Sequence, residues 1–497
     1  MGRVEPGFEE FVALAKHSSV VPVSREMLAD GLTPVVAYAT VGDGVGSYLL
    51  ESVVGGEKWA RYSFVGFEPD LIVRGIGDRY EEQRPDGLRV RTVDDPWNAL
   101  RETLAMYKPP DVPWLPRFWG GAVGYCAYDA VRRFEPTVNG QHKKASEECH
   151  FAFSISGTLL VFDNLTLTIR IVVPVRIDEH EDLSDTYAAA VARIERAQQR
   201  LHSPAVLRVM RPPQKNAELT LPPSSFDRVG YCAAVERCKE HIRAGDIFQV
   251  VLSQRFRLPS AGIDPFDIYR ALRVINPSPY MYFLRFGHLR IAGASPEVMV
   301  RLEHGRAEVR PIAGTRPRGA TPEDDARIER ELFSDPKEIS EHVMLVDLGR
   351  NDLGRISKPG SVAVSERMVC ERYSHVMHIT SNVHGELAPG RDAIDVLKAT
   401  FPAGTLSGAP KVRAMQIIEA QEPSVRNVYG GAVGYFGFDG NMDFAIAIRT
   451  VVEQAGELTV QAGAGIVEGS DPAAEYDECV NKARAALAAI AAARDGL

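Results

Sequence analysis

Two stretches of the chain place acidic residues at helical spacing behind an Asp-Pro start. The first is Asp335-Pro336-Lys-Glu338-Ile-Ser-Glu341, and the second is Asp471-Pro472-Ala-Ala-Glu475-Tyr-Asp-Glu478. Aspartate caps a helix N-terminus and proline suits the first helical position. Residues three apart share a helix face, so Glu338 goes with Glu341 and Glu475 with Glu478. Two such helices facing each other gather four carboxylates, which either repel or share a cation. Oxygen-only ligands suit a hard ion such as Mg²⁺. The simpler reading makes Glu338 the third residue of a capping box and leaves the others in water. Two matched pairs favour the metal.

Other elements must bring these helices together. Residues 8–16 read as a short amphipathic helix, and from Pro34 onward as strand-like pieces separated by Gly. A helix is expected near Trp97–Tyr107. Strands are expected at Phe118–Asp129 and Phe151–Val175, and a charged, Ala-rich helix at 183–201. Five prolines and little periodicity mark 203–226 as a linker between a β-rich half, 1–202, and a second half, 227–497. In the second half, helices are expected at Arg228–Ala244, from Thr321, at Arg391–Thr400, 410–420 and 472–494. Strands are expected at Ile247–Phe256, Met281–Phe286, Leu289–Ala294, Val298–Leu302, Ala307–Pro311, Ser361–Cys370, Ser374–Glu386, 428–438, 443–453 and 457–465. Strand runs interleaved with helices predict an α+β fold, with large antiparallel sheets flanked by helices. Gly-Gly-Ala-Val-Gly-Tyr occurs at 120–125 and again at 430–435, each copy followed by an aromatic-Asp pair. Glycine in adjacent strands permits close packing. Six identical residues with matched flanks point to two related halves.

The 497 residues are 45% hydrophobic and 25% charged, the balance of an ordinary globular enzyme. A net charge of −9 without a basic run argues against nucleic acid or an anionic membrane as partner. Cys126, Cys149, Cys232, Cys238, Cys370 and Cys479 form no C-x-x-C pair. That composition suits neither a disulfide framework nor a zinc site, and fits a reducing cytosol. Neither an apolar signal region nor a run of about 18 apolar residues is expected.

Longer motifs carry a resemblance. They are Ile247-Phe-Gln249-Val-Val-Leu-Ser253-Gln-Arg, Ala294-Ser-Pro-Glu297, Pro311-Ile-Ala313-Gly314-Thr315-Arg316, Glu341-His-Val-Met-Leu-Val-Asp347, Ser374-His-Val-Met-His378, Thr405-Leu-Ser-Gly-Ala-Pro-Lys and Gln461-Ala-Gly-Ala-Gly465-Ile-Val. With them, roughly residues 25–490 resemble the chorismate-utilising enzymes, and among these the anthranilate synthase component I family. The resemblance implies conversion of chorismate and ammonia to 2-amino-2-deoxyisochorismate, then pyruvate loss to anthranilate, in tryptophan biosynthesis. It implies Glu341 and Glu478 as Mg²⁺ ligands, with Glu338 and Glu475 beside them. Arg449 and Lys482 are implied as carboxylate contacts. Tyr429, Gly314, Thr315 and the Gly463-Ala464-Gly465 backbone are implied as further substrate contacts, since glycine lets N–H groups approach an anion closely. Glu297 is implied as the acid for the leaving C4 oxygen, His378 as the base in pyruvate elimination, and Thr405 as a hydroxyl contact. His342 and His375 lie beside motifs without an implied role.

Residue identity chooses among sister activities. Water-using isochorismate and salicylate synthases carry a lysine base where Gln249 stands. Aminodeoxychorismate synthase carries a nucleophilic lysine where Ala313 stands. Both positions therefore favour amination at C2 and anthranilate. An enzyme that stops at the aminated intermediate differs only in lacking the last step. Leu49-Leu50-Glu51-Ser52 and Arg61-Tyr62-Ser63, with Asn276-Pro-Ser278-Pro279-Tyr280-Met281-Tyr282, resemble a tryptophan pocket built across both halves. Feedback inhibition is the implied consequence. No cysteine sits in a glutaminase context, so a separate glutamine amidotransferase subunit is expected to supply ammonia in a hetero-oligomer. A non-enzymatic tryptophan sensor is the competing class. It would have lost the carboxylates or the Arg449 and Lys482 clamp, and all are present.

Overall fold

The computed structural model describes residues 2–53, 61–138, 149–155, 157–178, 180–209, 220–287, 289–372 and 376–494. Ser374, His375 and residues 210–219 of the expected linker lie outside them. The described strands form two large antiparallel sheets. The first sheet runs through Val4–Glu5, Val20–Leu28, Thr168–Arg176, Thr158–Asp163, Tyr62–Phe67 and Tyr48–Glu51. It continues through Tyr280–Phe286, Leu289–Ser295, Thr450–Gln454, Glu457–Ile466, Gln249–Pro259 and Gly408–Ala409. The second runs through Ile312–Pro317, Val376–Glu386, Arg306–Val309, Val298–Glu303, Met442–Ile446 and Ala432–Gly437. It continues through Gly121–Cys126, Cys149–Ile155, Leu71–Ile76, Arg79–Arg84 and Gly87–Thr92, while Ala363–Arg372 pairs with Val376–Glu386.

Side-chain alternation makes the first sheet the middle layer. Tyr48 and Phe64 enter the core between the sheets, whereas Leu49 and Val65 enter a core beneath the helices. The helices over that outer face include Leu183–Leu201, Arg228–Arg243, Pro265–Ile275 and Pro472–Arg494. Among the described residues no helix is long and apolar enough to cross a membrane.

The two copies of the six-residue motif lie side by side. Gly434 sits opposite Gly124, and Gly437 opposite Gly121. A Cβ on Gly124 would lie 1.9 Å from Ala152 O, and one on Gly434 would lie 2.0 Å from Asp443 O. The glycines are therefore required by close backbone approach. The repeat extends further than the motif. Pro69-Asp-Leu-Ile-Val-Arg74 matches Pro296-Glu-Val-Met-Val-Arg301 in sequence and in strand position. In both sheets the halves meet centrally, through Tyr48–Glu51 with Tyr280–Phe286 and through Gly121–Cys126 with Ala432–Gly437. Corresponding strands then follow in the same order outward.

Two expectations need correction, and one helix was not expected. The stretch from Pro34 is a helix, Pro34–Val41, because Thr33 caps it by accepting from Val36 N–H and Pro34 occupies its first turn. Its β-branched residues suggested a strand. The expected strand at 443–453 is two strands, Met442–Ile446 in the second sheet and Thr450–Gln454 in the first. Between them Arg449 has φ +50°, which turns the chain from one sheet to the other. Pro265–Ile275, begun by Asp264 and Pro265, is a helix that periodicity alone did not reveal.

Candidate active site

Two sheet-to-sheet crossovers lie side by side. Glu297 lies between Leu289–Ser295 of the first sheet and Val298–Glu303 of the second, and Arg449 lies on the returning crossover. The crossovers are tied together by Ile446 N–H donating to Glu297 O at 3.0 Å and Ala294 N–H to Arg449 O at 3.2 Å. Thr405, on the short turn Gly404–Leu406, donates its hydroxyl to Glu297 Oε1 at 2.9 Å. Burial pushes the Glu297 carboxyl up to about 7, against the hydrogen bond from Thr405 and the charges of Lys482 and Arg449. Arg449 donates to Asn276 Oδ1 at 3.0 Å. Burial lowers its pKa, with Glu297 opposing the shift. Among the described residues no carboxylate is in ion-pair contact with it, so this guanidinium is suited to an incoming anion.

His378 faces these groups from Val376–Glu386. Its Nδ1 lies 3.0 Å from Thr315 Oγ1 and 3.2 Å from Gly314 O. A carbonyl only accepts, so Nδ1 carries the hydrogen and the lone pair falls on Nε2. Burial lowers the imidazole pKa, which keeps it neutral and able to act as a base. Gly314 sits at a bulge against that strand, with φ +68°. A Cβ there would approach Leu332 Cδ1 to 2.9 Å and Glu338 Oε2 to 3.2 Å, so glycine brings this backbone onto the Pro336–Gly354 helix. Ala313 is buried beside it.

Lys482 donates to Gly463 O at 3.2 Å. A side chain on Gly463 would meet the Tyr429 hydroxyl at 2.9 Å, and one on Gly465 would meet Gln249 Nε2 at 2.6 Å. Ala464 turns its methyl into the core beneath the helices. Gln249 Nε2 in turn donates to Glu341 Oε1 at 3.3 Å. A continuous set of contacts thus joins the expected substrate residues to the first acidic helix.

The four glutamates are placed differently. Both Asp-Pro starts cap as expected: Asp335 accepts from Lys337 N–H, and Asp471 from Ala474 N–H at 2.8 Å. The first turns approach, since the Lys337 charge acts on Glu475. Yet Glu338 accepts from Arg316 at 2.7 Å, and Glu478 pairs with Lys482 at 2.8 Å. Among the described residues no three Asp, Glu, His or Cys side chains converge as a metal cage. The donors are of the hard-oxygen type that suits Mg²⁺, and this chain's own cations pair with two of them, Glu338 and Glu478. Arg316, which also reaches Asp335 at 3.0 Å, had no role in the sequence reading. Its only signal was its place in the Gly-Thr-Arg motif. His342 is fully buried and bonded to Ser381 Oγ at 2.7 Å, with its pKa lowered to about 4 by burial, so it is structural.

Leu50, Glu51, Ser52, Pro279, Tyr280 and Met281 all line one small cavity between the halves. Ser52 Oγ has no hydrogen-bond partner among the described residues. The Glu51 carboxylate, however, is taken up by Tyr269 and Arg273, and Met281 belongs to the helix-side core. Arg301, Asp443 and Arg117 also line this cavity, with Arg301 paired to Asp443 at 2.8 Å and Tyr280 donating to Asp443 at 3.0 Å. Their distance in sequence left no local signal.

The family model of chorismate binding enzymes matches residues 55–488. The chain belongs to the chorismate binding enzyme family. It is 48% identical to anthranilate synthase component 1 of Pseudomonas aeruginosa, over 98% of this chain and 99% of that protein. It is 46% identical to the protein of the same name from Acetivibrio thermocellus, over 98% of each. The crystal structure of anthranilate synthase component I from Streptococcus pneumoniae superposes on this chorismate binding enzyme with a TM-score of 0.75 at 36% identity. The match covers 93% of this chain and 99% of that one. The menaquinone-specific isochorismate synthase of Escherichia coli shares the fold alone, with a TM-score of 0.70 at 16% identity, covering 97% and 98%.

Proposed function

We infer that this chain is the chorismate-converting component of an anthranilate synthase. One arrangement carries the reading: a protonated Glu297 held by Thr405, beside an Arg449 with no carboxylate in ion-pair contact and opposite a neutral His378. Arg449, Lys482 and the Gly463–Gly465 backbone hold the carboxylates of chorismate. Glu297 gives its proton to the departing C4 oxygen while ammonia attacks C2. His378 Nε2 then takes the C2 proton as pyruvate leaves. Gln249 and Ala313 carry no amine, which supports ammonia as the nucleophile and disfavours both lysine-dependent reactions. Glu341 and Glu478, with Glu338 and Glu475 beside them, would hold Mg²⁺, which when bound supplies positive charge against the ring carboxylate. Arg316 and Lys482 pair with two of these glutamates, Glu338 and Glu478. A separate glutaminase subunit delivers ammonia, and tryptophan bound between the halves inhibits.

The test is incubation of the purified chain with chorismate, Mg²⁺ and ammonium, followed by mass analysis. Anthranilate and pyruvate should appear, vanish with chelator, and decline with tryptophan. Glutamine in place of ammonium should give nothing. A product that stops at the aminated intermediate, or turnover of glutamine unaided, would overturn the reading.

A further inference from the structure

The repeat that builds both sheets also duplicates a cavity. The small cavity between the halves is walled by Tyr435, Arg301, Tyr62 and Arg117. Through the two matched segments these correspond to Tyr125, Arg74, Leu289 and Asn427. All four counterparts line a second cavity, of about 420 Å³. The first is about 60 Å³. The second lies within the size range of small-molecule sites.

Its chemistry differs from that of its counterpart. Tyr62 is replaced by Leu289, and Phe286 adds an apolar wall. Arg255, Arg257 and Arg426 join Arg74, against Glu457 as the one acidic lining residue among the described residues. Arg426 is bound to Glu422. Arg74 donates to Gln83 Oε1 at 3.3 Å, and among the described residues Arg74 and Arg257 make only loose ion pairs, at 4.0 Å from Glu81 and Glu457. A cationic, partly apolar chamber suits a small anion with a ring. Tyr429, whose hydroxyl abuts Gly463, forms the wall toward the cleft.

We propose that this second cavity is a binding site for a small aromatic carboxylate, distinct from the chorismate cleft and from the cavity assigned to tryptophan. Its carboxylate lies against Arg74 and Arg257 and its ring against Leu289 and Phe286. Occupancy is felt at Tyr429, so the ligand modulates turnover. The site rests on the geometry of the second cavity and stands whether or not the first binds tryptophan.

Anthranilate serves as the probe, because its own fluorescence reports binding through anisotropy. The full chain is titrated in chelator, with tryptophan saturating. One anthranilate site is expected, displaced by benzoate, retained in Arg449→Gln, weakened at least tenfold in Arg74→Gln and lost in Leu289→Trp. Should Leu289→Trp fail to fold, Arg74→Gln decides. Absence of binding to the unaltered chain, binding unchanged in Arg74→Gln, or binding abolished by Arg449→Gln overturns the proposal. A chain that takes anthranilate but no tryptophan supports it and sinks only the tryptophan reading.

Discussion

At the scale of single residues, the site depends on holding charged forms in check. Burial keeps a proton on Glu297 to about pH 7, from an ordinary value of 4.5. Folding therefore favours the neutral acid, and its contribution to stability fades as pH rises between those values. The difference is on the order of 3 kcal/mol by linkage. Glu297→Gln, neutral at every pH, should melt above the unaltered chain at pH 8, with the gap closing near pH 5. It should also lose roughly 10²- to 10⁴-fold in ammonium-dependent turnover. Calorimetry at the two pH values checks the first, and a gap independent of pH would show that Glu297 is not raised. The motif Ala-Ser-Pro-Glu pointed to this glutamate. Its hydroxyl partner Thr405, 108 positions away, could not be assigned to it from spacing.

Elements succeed or fail on close approach. The paired glycines of the repeated motif let neighbouring backbones touch where any Cβ would collide. Gly434→Ala should cost about 3 kcal/mol or more, read as a lowered urea midpoint. Gly469→Ala, where a Cβ meets nothing within 4 Å, should leave that midpoint within error. Equal effects at the two positions would refute the packing argument. The sequence marked Gly120–Tyr125 and Gly430–Tyr435 as related but could not show that they pair with each other. The same scale explains the misread Pro34 segment. The Val-Val run has strand propensity, but the Thr33 cap, the following proline and burial against the first sheet decide for helix.

For the whole molecule, the halves expected on either side of 203–226 share both sheets through their central strand pairs. Separated, each half would expose two open strand edges and a severed core. A protease site engineered between residues 203 and 209 should therefore yield two fragments that co-elute on size exclusion and melt in one transition. Independent elution of folded fragments would show separable domains. The halves are unequal in one respect. Between Arg306–Val309 and Ala432–Gly437 the second half carries the elements that bear Gly314, Glu338, Glu341, His378 and Thr405. The first half has only the Pro96–Ala105 helix among the named helices and strands between Gly87–Thr92 and Gly121–Cys126. This places the candidate site on one side of the repeat. On the other side Arg193 closes over Asp70, the counterpart of Glu297, at 2.9 Å.

Long motifs in the sequence carried the resemblance to the family that the chorismate binding model bears out, and short spacings carried the two acidic helices with their Asp-Pro caps. Tertiary structure alone decided that Arg449 and Glu297 meet at paired crossovers, since strands whose paired residues, Val298↔Ala445 to Leu302↔Met442, lie 147 to 140 positions apart hydrogen-bond there. It also decided that Arg316 pairs with Glu338 and Lys482 with Glu478. Helix periodicity fixes which face a carboxylate is on. Only the packing of distant elements fixes which charge it finds.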